Sequence, residues 1–326
     1  MNNGDQLTFS DDKTVESVNR GLDFLENGDF MNAFSVFDSI MNNKPDYPGV
    51  EAGYRTSRYW LNRVPGLATL NNGKESADFL MGQWNEFENY SREKNFFGGS
   101  AFKAVQKYIY YNSSEHYKTA FANQESPADN FSLLMNLAVC FLMLEDYPKT
   151  IETLEYAKSF FKNDPKLLSI LAAAYFKTGE APKSLLLFRE AFFINPSAID
   201  IELIKCEPIN ELTSASKEAH PEEDIREWVP VYGFLMDIFY VKGKISQQTA
   251  ELITKDIASL EKSYQSMTRE KLKKSNVLPR LINKYLWLYD YYHFQNYDLS
   301  ILSQISQRLI EIDKSLFGSY FSKNKP

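Results

Sequence analysis

The sequence predicts an all-α fold: a superhelical array of helical hairpins closed by a helical carboxy-terminal region. Three observations carry that expectation. Small and apolar residues recur in a 34-residue register in the middle of the chain, and a fixed period of that length is how stacked helical hairpins show in a sequence. Gly and Pro number only 14 and 13 in 326 residues, which suits helices joined by short turns. No stretch alternates apolar and polar residues between turn signals, so no sheet is expected.

Taken in order, residues 1–13 are polar and read as an amino-terminal tail. Residues 14–47 form the first hairpin, with Gly21 and Ala33 where two helices touch and Phe24 and Phe37 as wedges between them. Gly28 is the turn, Ile40 another packed place and Pro45 the stop. Pro48 to Arg63 and Glu75 to Lys94 read as divergent helices, broken at Val64-Pro65-Gly66 and Asn71-Asn72-Gly73. After Gly98-Gly99-Ser100, Ala101 to Tyr111 opens a further pair whose second helix runs from Glu115 to Ala122. Together, 14–126 is one helical region.

The next region, 127–198, is the most regular. Residues 131–164 hold Leu134, Leu137, Ala138, Phe141, Leu154 and Ala157 in register, with Thr150 at a usually small place and Glu145-Asp146 at the turn. Residues 165–198 repeat that spacing with Leu168, Leu171, Ala172, Tyr175, Gly179, Phe188, Ala191 and Pro196. These two windows, and 14–47 more distantly, resemble tetratricopeptide repeats. The resemblance implies a right-handed superhelix that acts as a protein-protein interaction scaffold and performs no reaction. It also implies that the first helix of each repeat lines a concave groove.

Residues 199–224 are rich in Pro, Ser, Asn and acids and read as a linker with room for a short helix or two. In 225–326, Ile253, Ile257, Leu260, Tyr264 and Met267 form one helical stripe, and Leu302, Ile305, Leu309, Ile312 and Leu316 another. This region is read as a cap on the apolar end of the array.

Composition excludes several functions. With 36 Lys+Arg against 43 Asp+Glu, the net charge of -7 lacks the basic footprint of a nucleic-acid binder. Cys140 and Cys206 are 66 positions apart, so neither a disulfide framework nor a zinc module is indicated. Only His116, His220 and His293 occur, at no metal-ligand spacing. There is no nucleophile elbow and no phosphate-cradling loop, so no enzyme, metal or cofactor is expected. The longest nearly apolar stretch, 133–144, is 12 residues and holds Asn136, too short for a membrane span. The polar amino terminus reads as cytoplasmic unless a signal or anchor precedes it. Richness in Asn, Lys, Ile, Phe and Tyr reads as bacterial.

Two surfaces stand out. The groove places that the resemblance implies are apolar here: Met135, Val139 and Leu142, with Met143 beside them, then Ala173 and Phe176. Thioethers and aromatics repack around varied partners, so a peptide or an amphipathic helix is the expected occupant. The family's carboxylate clamp is approached only by Asn136 and Lys166 and is not expected. The chain's own carboxy-terminal helices are the other occupant the groove allows. The second surface is Tyr285 to Tyr297, where Tyr285, Trp287, Tyr291 and Phe294 either line an aromatic binding wall or sit in a sandwiched helix. As a wall they would serve a receptor for a small apolar ligand or signalling peptide, the alternative function.

Charge is uneven too. Residues 5–29 carry seven acids, and 261–284 carry seven bases including Lys271, Lys273, Lys274, Arg280 and Lys284. Solvated helix faces, an anionic partner at 269–284, and intramolecular or head-to-tail pairing between the two ends are the readings.

Overall fold

The computed structural model describes residues 3–67, 69, 73–123 and 130–323. The described chain is helical, with no strand, and its helices pack mainly on sequence neighbours. It divides into two compact units, Met1–Thr153 and Leu154–Pro326.

The first unit holds α1 (Asn3–Glu26), α2 (Phe30–Asn43), α3 (Val50–Leu61), α4 (Val64–Leu67), α5 (Lys74–Glu93), α6 (Ser100–Ala122) and α7 (Phe131–Met143). Thus α1 takes in most of the stretch read as a tail. Asn71, Asn72 and the side chains of Asp5, Asp11 and Asp12 lie outside the described residues. The core gathers Phe30, Trp60, Trp84, Phe87 and Phe102, ring against ring, with Phe37 buried in the same cluster. Part of the aromatic surplus is therefore structural.

Close approach between helices explains two glycines. A Cβ on Gly21 of α1 would stand 2.7 Å from the Phe37 ring of α2, and one on Gly53 of α3 would stand 2.3 Å from it. One wedge is thus gripped by two backbones that lack side chains.

One sequence expectation needs correction here. Ala101–Tyr111 and Glu115–Ala122 are one continuous helix, α6. The intervening Asn112 and Ser114 do not break it. Asn112 Nδ2 donates to the Tyr108 carbonyl at 2.8 Å and Ser114 Oγ to the Tyr111 carbonyl at 2.7 Å, so both side chains fold back on their own helix.

α8 (Tyr147–Lys158) contains the boundary between the units. The second unit continues with α9 (Pro165–Lys177), α10 (Ala181–Ile194), a 3₁₀ turn at Pro196–Ala198, α11 (Glu207–Ala219) and α12 (Ile225–Leu235). α13 (Gln247–Ser266), α14 (Arg269–Lys273), α15 (Val277–Phe294), α16 (Leu299–Ile312) and α17 (Lys314–Lys323) complete it. The 199–224 segment holds one helix of 13 residues, α11, packed on α12. The stripe ending at Leu316 is divided, because Asp313 stops α16 and its carboxylate caps α17 by accepting from the Ser315 and Leu316 amides.

The three repeat windows share one turn. Gly28, Glu145 and Gly179 occupy the same place in each window and have φ of 74°, 60° and 86°. The next amide, of Asp29, Asp146 or Glu180, donates to the carbonyl of Phe24, Phe141 or Tyr175 at 2.8–2.9 Å. This is the left-handed helix stop with a six-to-one hydrogen bond. Glu145 adopts it without glycine's freedom. Thr150, buried at the place usually small, returns its hydroxyl to the Asp146 carbonyl at 3.0 Å.

Candidate functional site

The ends of α1 and α7 meet the middle of α6 at an open cleft of about 520 Å³ in the first unit. Glu26 and Asn27 close α1 there, Met143, Leu144 and Glu145 close α7, and α6 supplies Lys103, Gln106, Lys107, Tyr108 and Tyr111. Local sequence builds this geometry. Gly28 turns the chain with positive φ, and a Cβ there would fall 2.1 Å from the Tyr108 ring, so the ring lies directly on the turn. Tyr108 meets Phe30 edge-on, with ring centroids 5.4 Å apart. Burial pushes the Tyr108 phenol above its ordinary pKa.

The cleft is apolar at its base and charged at its margin. Tyr108, Met143 and Leu144 pack half-buried on the aromatic core, while Tyr111 is 58% exposed. Lys103 and Lys107 stand one turn apart on α6. Opposite them are two carboxylates at two helix carboxyl ends, where the backbone already carries partial negative charge. Lys107 Nζ bridges to Glu26 at 3.1 Å. Such a surface can hold an apolar side chain flanked by charged or polar ones.

The sequence-predicted groove residues meet different fates. Met143 lines the cleft. Met135 is half-exposed on α7, Val139 packs half-buried on the core, and Leu142 is buried. Ala173 and Phe176 belong to the second unit, the first buried and the second half-buried. Asn136 donates to the Tyr117 hydroxyl at 3.2 Å, which itself donates to Asp78 at 2.8 Å. On α6 the sequence singles out Tyr108 to Tyr111, with Tyr117, as a weaker candidate for an aromatic surface, but not Lys103, Gln106 or Lys107, which lie outside the repeat windows. The signal for these was lysines four apart just before the aromatic cluster.

The Tyr-rich helix, α15, splits along its length. Trp287 is buried between the Phe193 ring, 4.2 Å away, and the Arg189 guanidinium, 4.2 Å from its centroid. Arg189 pairs with buried Asp290, which also draws Lys242 Nζ to 3.6 Å. Tyr285 donates to Glu261 at 2.8 Å, and burial together with that carboxylate raises its pKa to about 12. Tyr291 packs half-buried on the same core. At the far end Phe294 is 57% exposed, stacked on His293. Three of the four aromatics thus serve internal packing, as a helix between α12, α13 and α16 requires.

Both cysteines are buried, and desolvation pushes Cys140 up to about 12 and Cys206 to about 11. Among the described residues no group of three or more His, Cys, Asp or Glu is placed to hold a metal ion. None of the described helices is long and apolar enough to cross a membrane. Comparison with known proteins finds no matching family model, no matching curated protein and no matching solved structure.

Proposed function

We propose that the chain is a non-enzymatic binding scaffold that holds a peptide or amphipathic helix in the cleft of its first unit. The observation that carries this reading is the pairing of soft apolar side chains, Met143 and Tyr111, with a margin of two lysines and two glutamates. Thioether and phenol adapt to varied apolar side chains, and the surrounding charges fix orientation. The recurring turn supports reading the three windows as tetratricopeptide-like hairpins, a framework suited to presenting such a surface. Two buried free thiols agree with a reducing compartment.

The test replaces Tyr111 with a photo-crosslinking amino acid and irradiates in cell lysate. Protein partners are expected at that position. A Met143→Glu variant carrying the same crosslinker should lose them while its circular dichroism stays unchanged. The same adducts from both proteins would overturn the reading.

A further inference from the structure

A second cavity, of about 330 Å³, opens within the second unit between α10, α13 and α15. Its size is that of a small-molecule site. Phe193, Pro196 and Leu260 supply apolar surface, and α15 supplies Arg280, Asn283 and Lys284. Spacing of three and four residues puts those last three on one helix face.

The charges are disposed unequally. Lys284 lies over the Phe193 ring at 4.2 Å and bridges to Asp256 at 3.0 Å. In that pair the cation is the sheltered member, 20% exposed against 54% for the acid. Arg280 uses Nε and Nη2 on Glu227, which is buried and does not line the cavity. Its Nη1 has no hydrogen-bond partner among the described residues. Asn283, more than nine-tenths buried, commits Nδ2 to the Phe192 carbonyl at 3.3 Å and lines both this space and a smaller one beside Trp287. Lys284 is thus held inward beside an apolar floor, Arg280 stands at the half-solvated rim, and the one lining carboxylate sits outward, in solvent.

We propose that this cavity binds an amphiphilic monoanion, a small carboxylate whose head meets Arg280 Nη1 and Lys284 Nζ while its apolar body lies on Phe193, Pro196 and Leu260. The exposed Asp256–Lys284 bridge is weak, as half-solvated ion pairs are, so an incoming carboxylate displaces Asp256 toward water. Asp256 is therefore a competitor of the ligand. The site accounts for part of the basic excess of residues 261–284. It is independent of the cleft in the first unit.

Decanoate is the probe, titrated calorimetrically into the full chain, with decanol and decyltrimethylammonium as neutral and cationic counterparts. Trp287 fluorescence gives a second readout, since its ring rests on Phe193. Decanoate should bind, and the other two should bind at least about tenfold more weakly, the worth of one charge-assisted hydrogen bond. Lys284→Gln should weaken decanoate by a similar factor, whereas Asp256→Asn should tighten it. Ser259 is exposed at the cavity, so Ser259→Trp fills the space without disturbing the core and should abolish binding. No binding of decanoate, equal binding of decanol, or binding unmoved by Ser259→Trp would each overturn the proposal.

Discussion

Glu227 is a carboxylate buried to 0% exposure, and it is fully served there by hydrogen bonds. Arg280 donates through Nε at 3.0 Å and Nη2 at 2.6 Å, Ser197 Oγ donates at 2.5 Å, and Asn276 Nδ2 at 3.3 Å. Its partner differs: the Arg280 side chain is 43% exposed. The two deletions should therefore cost different amounts. Arg280→Met strands a charge without water and should cost about 3–5 kcal/mol, the range for a broken buried pair. Glu227→Met frees a cation that water can reach, and should cost clearly less. Urea denaturation of both variants measures the difference, and equal losses would refute the asymmetry. Nothing in the residue order around Glu227 announced this. Burial of this one acid depends on an arginine 53 positions away.

At the scale of elements, helix contact decides what local propensity alone would misjudge. Alanine favours a helix over glycine by about 1 kcal/mol. At exposed Gly82 in α5, where no atom lies within 4 Å of an added Cβ, that preference should prevail and Gly82→Ala should stabilise. At Gly53 the new methyl would stand 2.3 Å from the Phe37 ring, so Gly53→Ala should destabilise by roughly 1–3 kcal/mol through overpacking. Thermal midpoints of the two variants should move in opposite directions. The repeat register made Gly21 and Phe37 legible as a contact. Gly53 was not legible, since it belongs to a helix outside any window. Likewise Asn, Ser and Ser in sequence favour a turn, yet Asn112 and Ser114 bond to their own helix and α6 runs on.

For the whole molecule, the carboxylates set the response to acid. Arg308 holds Glu261 below its ordinary 4.5, through bonds of 2.7 and 2.8 Å, with help from the Tyr285 phenol. Partial burial would by itself raise Asp146, Glu155 and Asp224, but bonds from Lys149, Tyr175 and Arg226 outweigh it and lower all three. A carboxyl lowered in the fold stabilises above its unfolded pKa, and that contribution disappears as pH falls through the lowered value. Burial raises Glu190 and Asp290, which act in the opposite sense. The four lowered carboxyls lose their contribution as pH falls below about 4.5, and the two raised ones offset part of that loss. Glu261→Gln should cost stability at neutral pH and converge with the wild type in acid. A constant difference between the two curves would count against the Glu261–Arg308 pair as the cause.

The chain by itself determined its helices and its turns. A left-handed stop at Gly28, Glu145 and Gly179 needs only hydrogen bonds spanning five residues, so residue types a few places apart suffice to specify it. The low count of Gly and Pro follows from the same local economy of short turns. Tertiary structure decided which faces remain open. Trp287 and Tyr285 are internal because Phe193, Arg189 and Glu261 reach them from other helices. The Met143 cleft exists because α1, α6 and α7 converge, bringing Glu26 to Lys107 across 81 positions. Short-range bonds write themselves into spacing; burial is a property of partners distant in sequence, and only the folded chain selects them.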